Sequence, residues 1–173
     1  MFNIARALRR HDPVLPASLS LDAGERVLAS ATDGTGQWYV GTLRALHIAD
    51  DSQSRRLPWE SIERAEWDRD EEQLVVVESA EFGAPAPEHR AALVDADRLL
   101  QLVRERVTAS VVVSRFVAVE GKRGITVVAR RAPHTDDELT WTYVVDRGLD
   151  ASSAAVATAA ERGLAEARAE VGD

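Results

Sequence analysis

Between Gly24 and Val94 the chain alternates short β-type runs with turn clusters, and the connections are too short for anything but antiparallel pairing. The runs cover residues 26–31, 37–42, 45–49, 55–67, 73–79 and 89–94, and are rich in β-branched, aromatic or alternating apolar residues. Turn formers make up the separators Thr32-Asp33-Gly34-Thr35-Gly36, Asp50-Asp51-Ser52-Gln53-Ser54, Asp68-Arg69-Asp70-Glu71-Glu72 and Phe82-Gly83-Ala84-Pro85-Ala86-Pro87. A parallel crossover needs about a dozen residues, so these strands form a meander. Pro58 has no N–H to give to a ladder, which assigns its strand to an edge or a bulge.

Asp95 is an N-cap residue type, and after it Leu99, Leu100, Val103 and Val107 recur at helical spacing, with Arg98, Arg104, Glu105 and Arg106 between them. This predicts an amphipathic helix ending between Ala109 and Val113. Strands return over 115–120, 125–130 and 139–146, the first two joined by Gly121-Lys122-Arg123-Gly124. In the last run Trp141, Tyr143 and Val145 share one face and Thr140, Thr142 and Val144 the other. Asp150 is expected to cap a final alanine-rich helix with the stripe Val156, Ala160, Leu164, Ala167 and Val171, whose small residues let it lie close to a sheet. Near the start, Phe2, Ala5 and Leu8 predict two turns of amphipathic helix, stopped by Pro13 and Pro16.

Composition narrows the function classes. A chain of 173 residues supports one full core, or one domain with a dependent subdomain. No apolar run approaches the roughly 18 residues that span a bilayer, which excludes an integral membrane helix. The N-terminal basic residues follow the apolar ones and no long apolar stretch leads to a cleavage site, so no export signal is expected and the location is read as cytoplasmic. The absence of cysteine removes disulfides, thiol catalysis and thiolate metal sites together. A net charge of −8 opposes nucleic-acid binding. Lys122 is the single lysine among 21 basic residues, a bias expected of a GC-rich bacterial genome.

The segment Val40-Gly41-Thr42-Leu43-Arg44-Ala45-Leu46, turning from the second strand into the third, and Leu57-Pro58-Trp59-Glu60-Ser61-Ile62 in the next strand carry a resemblance. Together with the order of six or more antiparallel strands before an amphipathic helix, they resemble the bacterial pleckstrin-homology-like (PH-like) domains, of the kind found in conserved proteins of actinobacterial type. The resemblance covers about residues 24–110. It implies an α+β chain: an antiparallel PH-like β-sandwich or barrel capped by a helix and followed by a βββα extension. The expected organisation is an N-terminal helix and linker over 1–23, the barrel with its capping helix over 24–112, and the extension, packed on it, over 113–173. Phosphoinositide binding by eukaryotic relatives uses basic residues around the first hairpin, but Ser30 to Gln37 here carries none and one acidic residue.

The sequence carries no complete catalytic or ligand-binding motif of the common classes. Gly121-Lys122 lacks the earlier glycine of a phosphate loop, and Gly34-x-Gly36 leads into a strand without a third glycine. No Gly-x-Ser-x-Gly elbow occurs. The Asp68 to Glu72 carboxylates have Gln73 where a calcium loop needs glycine. The histidines His11, His47, His89 and His134 show no ligand spacing. No catalytic residue, metal or cofactor is therefore assigned.

Two functional readings follow. The first is a binding or scaffold module for an unknown protein or peptide, or for a second copy of the chain, with Trp38 and Trp141 as candidate binding residues. Trp59, Ile62 and Trp67 are expected in the interior instead, since few large side chains are available to fill it. The second is a small-ligand sensor or enzyme with a cavity between barrel and extension, using His47, His134 or Asp136-Asp137-Glu138. The residues favour the first.

Overall fold

The computed structural model describes residues 14–133, 135 and 138–172, so the expected N-terminal helix lies outside the described residues. Four strands, β1 (Ala29–Asp33), β2 (Trp38–Gly41), β3 (Ala45–Ala49) and β4 (Ser54–Pro58), open the fold, and a 3-10 turn (Trp59–Ser61) follows. Next come β5 (Ile62–Asp68), β6 (Gln73–Glu78), β7 (Glu88–Ala91), β8 (Leu93–Val94) and α1 (Asp97–Ser110). The chain ends with β9 (Val111–Glu120), β10 (Arg123–Arg130), β11 (Thr140–Val145) and α2 (Ala154–Val171). All strands pair antiparallel, in three sheets ordered β4-β3-β2-β1-β8, β5-β6-β7 and β11-β10-β9. Among the described residues no helix is long and apolar enough to cross a membrane.

The expected barrel is not closed. The expected strand over 55–67 is interrupted at Trp59–Ser61, where Ser61 Oγ donates to the Pro58 carbonyl at 2.7 Å, and the chain leaves the first sheet there for the second. The run 89–94 breaks at Ala92, so β7 pairs with β6 while β8 pairs with β1. Two sheets thus share one core without a continuous ladder between them. Pro58 ends β4, the edge strand of its sheet, as its missing N–H requires.

That core joins Ala31, Tyr39, Leu46, Ile48 and Leu57 of the first sheet to Ile62, Leu74, Val76 and Ala91 of the second, with Leu99 and Val103 of α1 closing it. Gly41 is where the helix meets β2: a Cβ there would stand 2.6 Å from Leu102 Cδ2 and 3.3 Å from Leu99 Cδ1. Trp59 is fully buried, and its indole N–H donates to the Thr42 carbonyl at 3.2 Å, so its one polar atom is satisfied. Ile62 is buried beside it. Trp67 corrects the expectation of a third interior residue: it is 37% exposed. It pairs with Leu74 on the core side of the sheet, but it stands next to the acidic turn, where the strand runs past the close-packed interior.

Helix starts also differ from the sequence reading. Asp95 adopts φ 50 and gives no cap; α1 begins after Ala96, with no side-chain cap bond. Asp150 instead closes a turn on the Ser152 N–H and hydroxyl, and Ser153 caps α2 by accepting from the Val156 N–H at 3.3 Å. On the sheet side α2 buries Val156, Ala159, Ala160, Gly163 and Ala167 against β9 and β10. A Cβ on Gly163 would lie 2.8 Å from Val127 Cγ2 and 3.0 Å from Val117 Cγ2, so this glycine permits the close approach.

One buried arginine ties the third sheet to the first two. Arg130, 5% exposed at the end of β10, donates to the Glu63 carbonyl at 2.6 Å, the Ser110 hydroxyl at 2.8 Å and the Val107 carbonyl at 3.2 Å. It therefore bonds β5 and the last turn of α1 at once. The backbone of the next residue continues the seam, Arg131 N–H donating to the Ser110 carbonyl at 2.9 Å.

Trp59→Ala should lower stability by about 3–5 kcal/mol, the range for emptying a core aromatic site. Urea unfolding that shows a loss under about 1 kcal/mol would remove Trp59 from the core. Arg130→Ala should cost at least about 1.5–3 kcal/mol, the worth of a hydrogen bond to a charged group. An unchanged urea midpoint would mean that the seam holds without it.

Candidate functional site

An apolar concavity lies between β5 and α1. β5 is the outer strand of its sheet, so one side of its backbone faces away from β6. α1 turns Leu99 and Val103 into the core, and the helical repeat then places Leu100, Gln101 and Arg104 along the flank toward β5. Ala65, Trp67 and Leu74 form the sheet wall of this groove, whose volume is about 470 Å³. Its rim is polar but internally engaged: Glu66 accepts from Arg64, and Gln101 donates to Glu105 Oε1 at 2.8 Å. At the other end of β5 the Glu63 carbonyl is taken by Arg130, so the open stretch of the strand is its second half.

Trp38 and Trp141 lie elsewhere, and in different sheets. Trp38, half-buried, sits opposite Thr32 and Ala49, on the face of its sheet that also carries Val40 and His47. Trp141 is half-buried in a small cluster with Val113, Ala129 and Ala167, and the Arg168 guanidinium stands 5.7 Å from its ring centre. Neither lines the groove.

A second concavity of about 440 Å³ lies between residues 80–86 and β11, walled by Glu63, Tyr143 and Val145. The Phe82 ring meets Tyr143 edge-on there, at 5.4 Å. Burial pushes the Glu63 carboxyl up, against the opposing pull of Arg64 and Arg130. His47 is not part of this cavity; His134, Asp136 and Asp137 lie outside the described residues, and Glu138 is exposed. Among the described residues no group of three or more His, Cys, Asp or Glu side chains is placed to hold a metal ion.

His47 occupies a third environment. Leu46 and Ile48 face the core, which turns Ala45, His47 and Ala49 to the opposite face, yet all five are buried. Residues 16–28 border that face. Pro16 is buried, the Ser18 hydroxyl donates to the Asp50 carbonyl, and Asp22 pairs with Arg56 at 3.5 Å. Glu25 Oε1 accepts from the Thr42 hydroxyl at 2.8 Å and from the Arg44 N–H at 3.2 Å. His47 Nε2 and Glu25 Oε2 are buried without a hydrogen-bond partner among the described residues. Burial holds the imidazole below the ordinary histidine range; Glu25 and Asp22 oppose that shift and Arg56 adds to it.

No protein-family model, curated protein or solved structure matches the chain. Sequence reasoning missed Trp67 as a surface residue, although two signals were present. Trp67 directly precedes a turn of charged residues, and the adjacent pair Leu99-Leu100 makes the apolar stripe of α1 wider than a core-facing line of single residues.

The His47 environment gives a pH prediction. The unfolded chain, with a histidine near the ordinary value of 6.5, takes up a proton before the folded one does. Stability from a neutral His47 is thus present above that value and is lost as pH falls through it toward the depressed folded value. Urea midpoints at pH about 8 and about 5.5 should fall more for the wild type than for His47→Leu. Equal losses in both would show that His47 titrates as an ordinary exposed histidine.

Proposed function

We propose that the chain is a PH-like interaction module that takes an extended segment of a partner protein along the second half of β5. Strand addition supplies main-chain hydrogen bonds to the open side of β5, and alternate apolar side chains of the segment seat on Ala65, Trp67 and Leu100. The observation that carries this reading is Trp67: a core-side tryptophan left 37% exposed at the mouth of an apolar groove, beside a strand edge that no described strand pairs. Tryptophan in such a place combines a large contact area with few rotamers to freeze. The two antiparallel sheets closed by α1 support the PH-like part of the proposal.

The test compares three forms of the protein as bait in native lysate: wild type, Trp67→Ala and Trp38→Ala, with urea midpoints confirming that each is folded. A partner held by the wild type and by Trp38→Ala should be lost with Trp67→Ala. Titration of the identified segment should show at least about 2 kcal/mol of binding lost, roughly 30-fold in Kd. Equal retention by all three forms, or a loss confined to Trp38→Ala, would overturn the proposal.

A further inference from the structure

Strand β9 is the outer strand of the third sheet, and among the described residues nothing pairs with its free side. Protected edges are short, or carry lysine, proline or inward charges. β9 has ten residues and no lysine or proline, and its ladder irregularities lie only at its two ends. Its one internal charge, Arg115, lies on the α2 side and pairs with Glu170. Register shifts leave Val112 and Val119 out of the ladder with β10, so residues 113–118 form a regular, uninterrupted stretch. Phe116, at its centre, is 51% exposed on the face away from α2 and packs partly over Gly124.

We infer that this edge pairs antiparallel with β9 of a second copy of the chain, about a two-fold axis at Phe116, to make one six-stranded sheet. Three observations select that partner and that register. With Phe116 opposite Phe116, Ser114 faces Ala118 and Arg115 faces Val117, so exposed aromatic area is covered and no like charges oppose. A register centred on Arg115 would set two guanidinium groups against each other.

The helices fit the same axis. Gly163 lies over Val117 and Val127, and Ala167 clusters with Val113 and Ala129, so α2 runs antiparallel to β9 and its axis lies between β9 and β10. Pairing the two edges then separates the two α2 axes by about two strand spacings, roughly 9.6 Å, inside the 8–10 Å range of packed helices. Finally, Glu170 reaches Arg115, which marks the β9 flank of α2; Glu166 and Arg162 continue that flank at helical spacing and are exposed. The level of Phe116 falls at residues 163–164 of α2, which brings Arg162 of each copy within side-chain reach of Glu166 of the other.

Light scattering on the full chain should give twice the 18.9 kDa chain mass. Arg162→Glu should shift the protein toward monomer, and the swap Arg162→Glu with Glu166→Arg should restore the dimer. Because the chain has no cysteine, single introduced thiols report the register. Phe116→Cys should oxidise to a covalent dimer, as should the double variant Ser114→Cys with Ala118→Cys, whereas Ser114→Cys alone should not. A monomer mass at every loading concentration overturns the inference, and so does equal crosslinking of all three thiol variants. An unchanged circular dichroism spectrum for the charge variants shows that any shift to monomer comes from the interface and not from unfolding.

Discussion

The Arg130 guanidinium is the interaction on which the relation between the sheets depends. It is nearly inaccessible, yet among the described residues it meets no carboxylate within ion-pair distance; it bonds two carbonyls and a hydroxyl. Burial pulls its pKa down and the nearby Glu63 pulls it back up. A charge in such a place is tolerated because the last turn of a helix and a strand edge both present unsatisfied carbonyls. Arg130 satisfies one of each: Val107 near the end of α1, and Glu63 at the bulged start of β5. Lysine, with a compact ammonium in place of the planar fork, would not span the same set.

Burial on both faces marks β3, as it does β6 and most of β10. β3 has no exposed residue: Leu46 and Ile48 fill the core while Ala45, His47 and Ala49 lie beneath the segment that precedes β1. That segment is held by polar contacts, from Ser18 to Asp50, Asp22 to Arg56 and Glu25 to Thr42, and by the Leu28 N–H bonding to the Gly41 carbonyl. A cover made of such contacts places carboxylates near an imidazole that burial keeps neutral, and there the Glu25 Oε2 and His47 Nε2 atoms are both buried without a hydrogen-bond partner among the described residues.

Most of the strand order was legible in the sequence, because a period of two and turn residues at short intervals are local signals. The final helix was legible for the same reason, with Val156, Ala160 and Ala167 falling on its buried side. What was not legible is tertiary. Nothing local announces that the run through Trp59 breaks to change sheets, or that the chain does so again at Ala92; both breaks answer to how two twisted sheets meet at a corner. Trp67 illustrates the limit most directly. Alternation placed it on the correct face, since it pairs with the buried Leu74, but how far the core extends along that face depends on where α1 crosses.

The outer edges of β5 and β9 differ in kind, and the difference follows from the seam. By bonding to Glu63, Arg130 occupies the first half of β5 and leaves its second half open beside an apolar hollow that α1 completes. A short open stretch next to a shaped pocket suits a segment that contributes a few side chains, because the pocket selects among strands that the backbone alone would accept equally. The same seam turns β10 and β11 toward the body of the protein and leaves β9 as the far strand of its sheet, long, regular and without a pocket. An edge with no selecting pocket can be matched only by a strand whose own pattern is complementary along its whole length. The strand that meets this condition on both of its faces, and also brings a helix at the right spacing, is β9 itself.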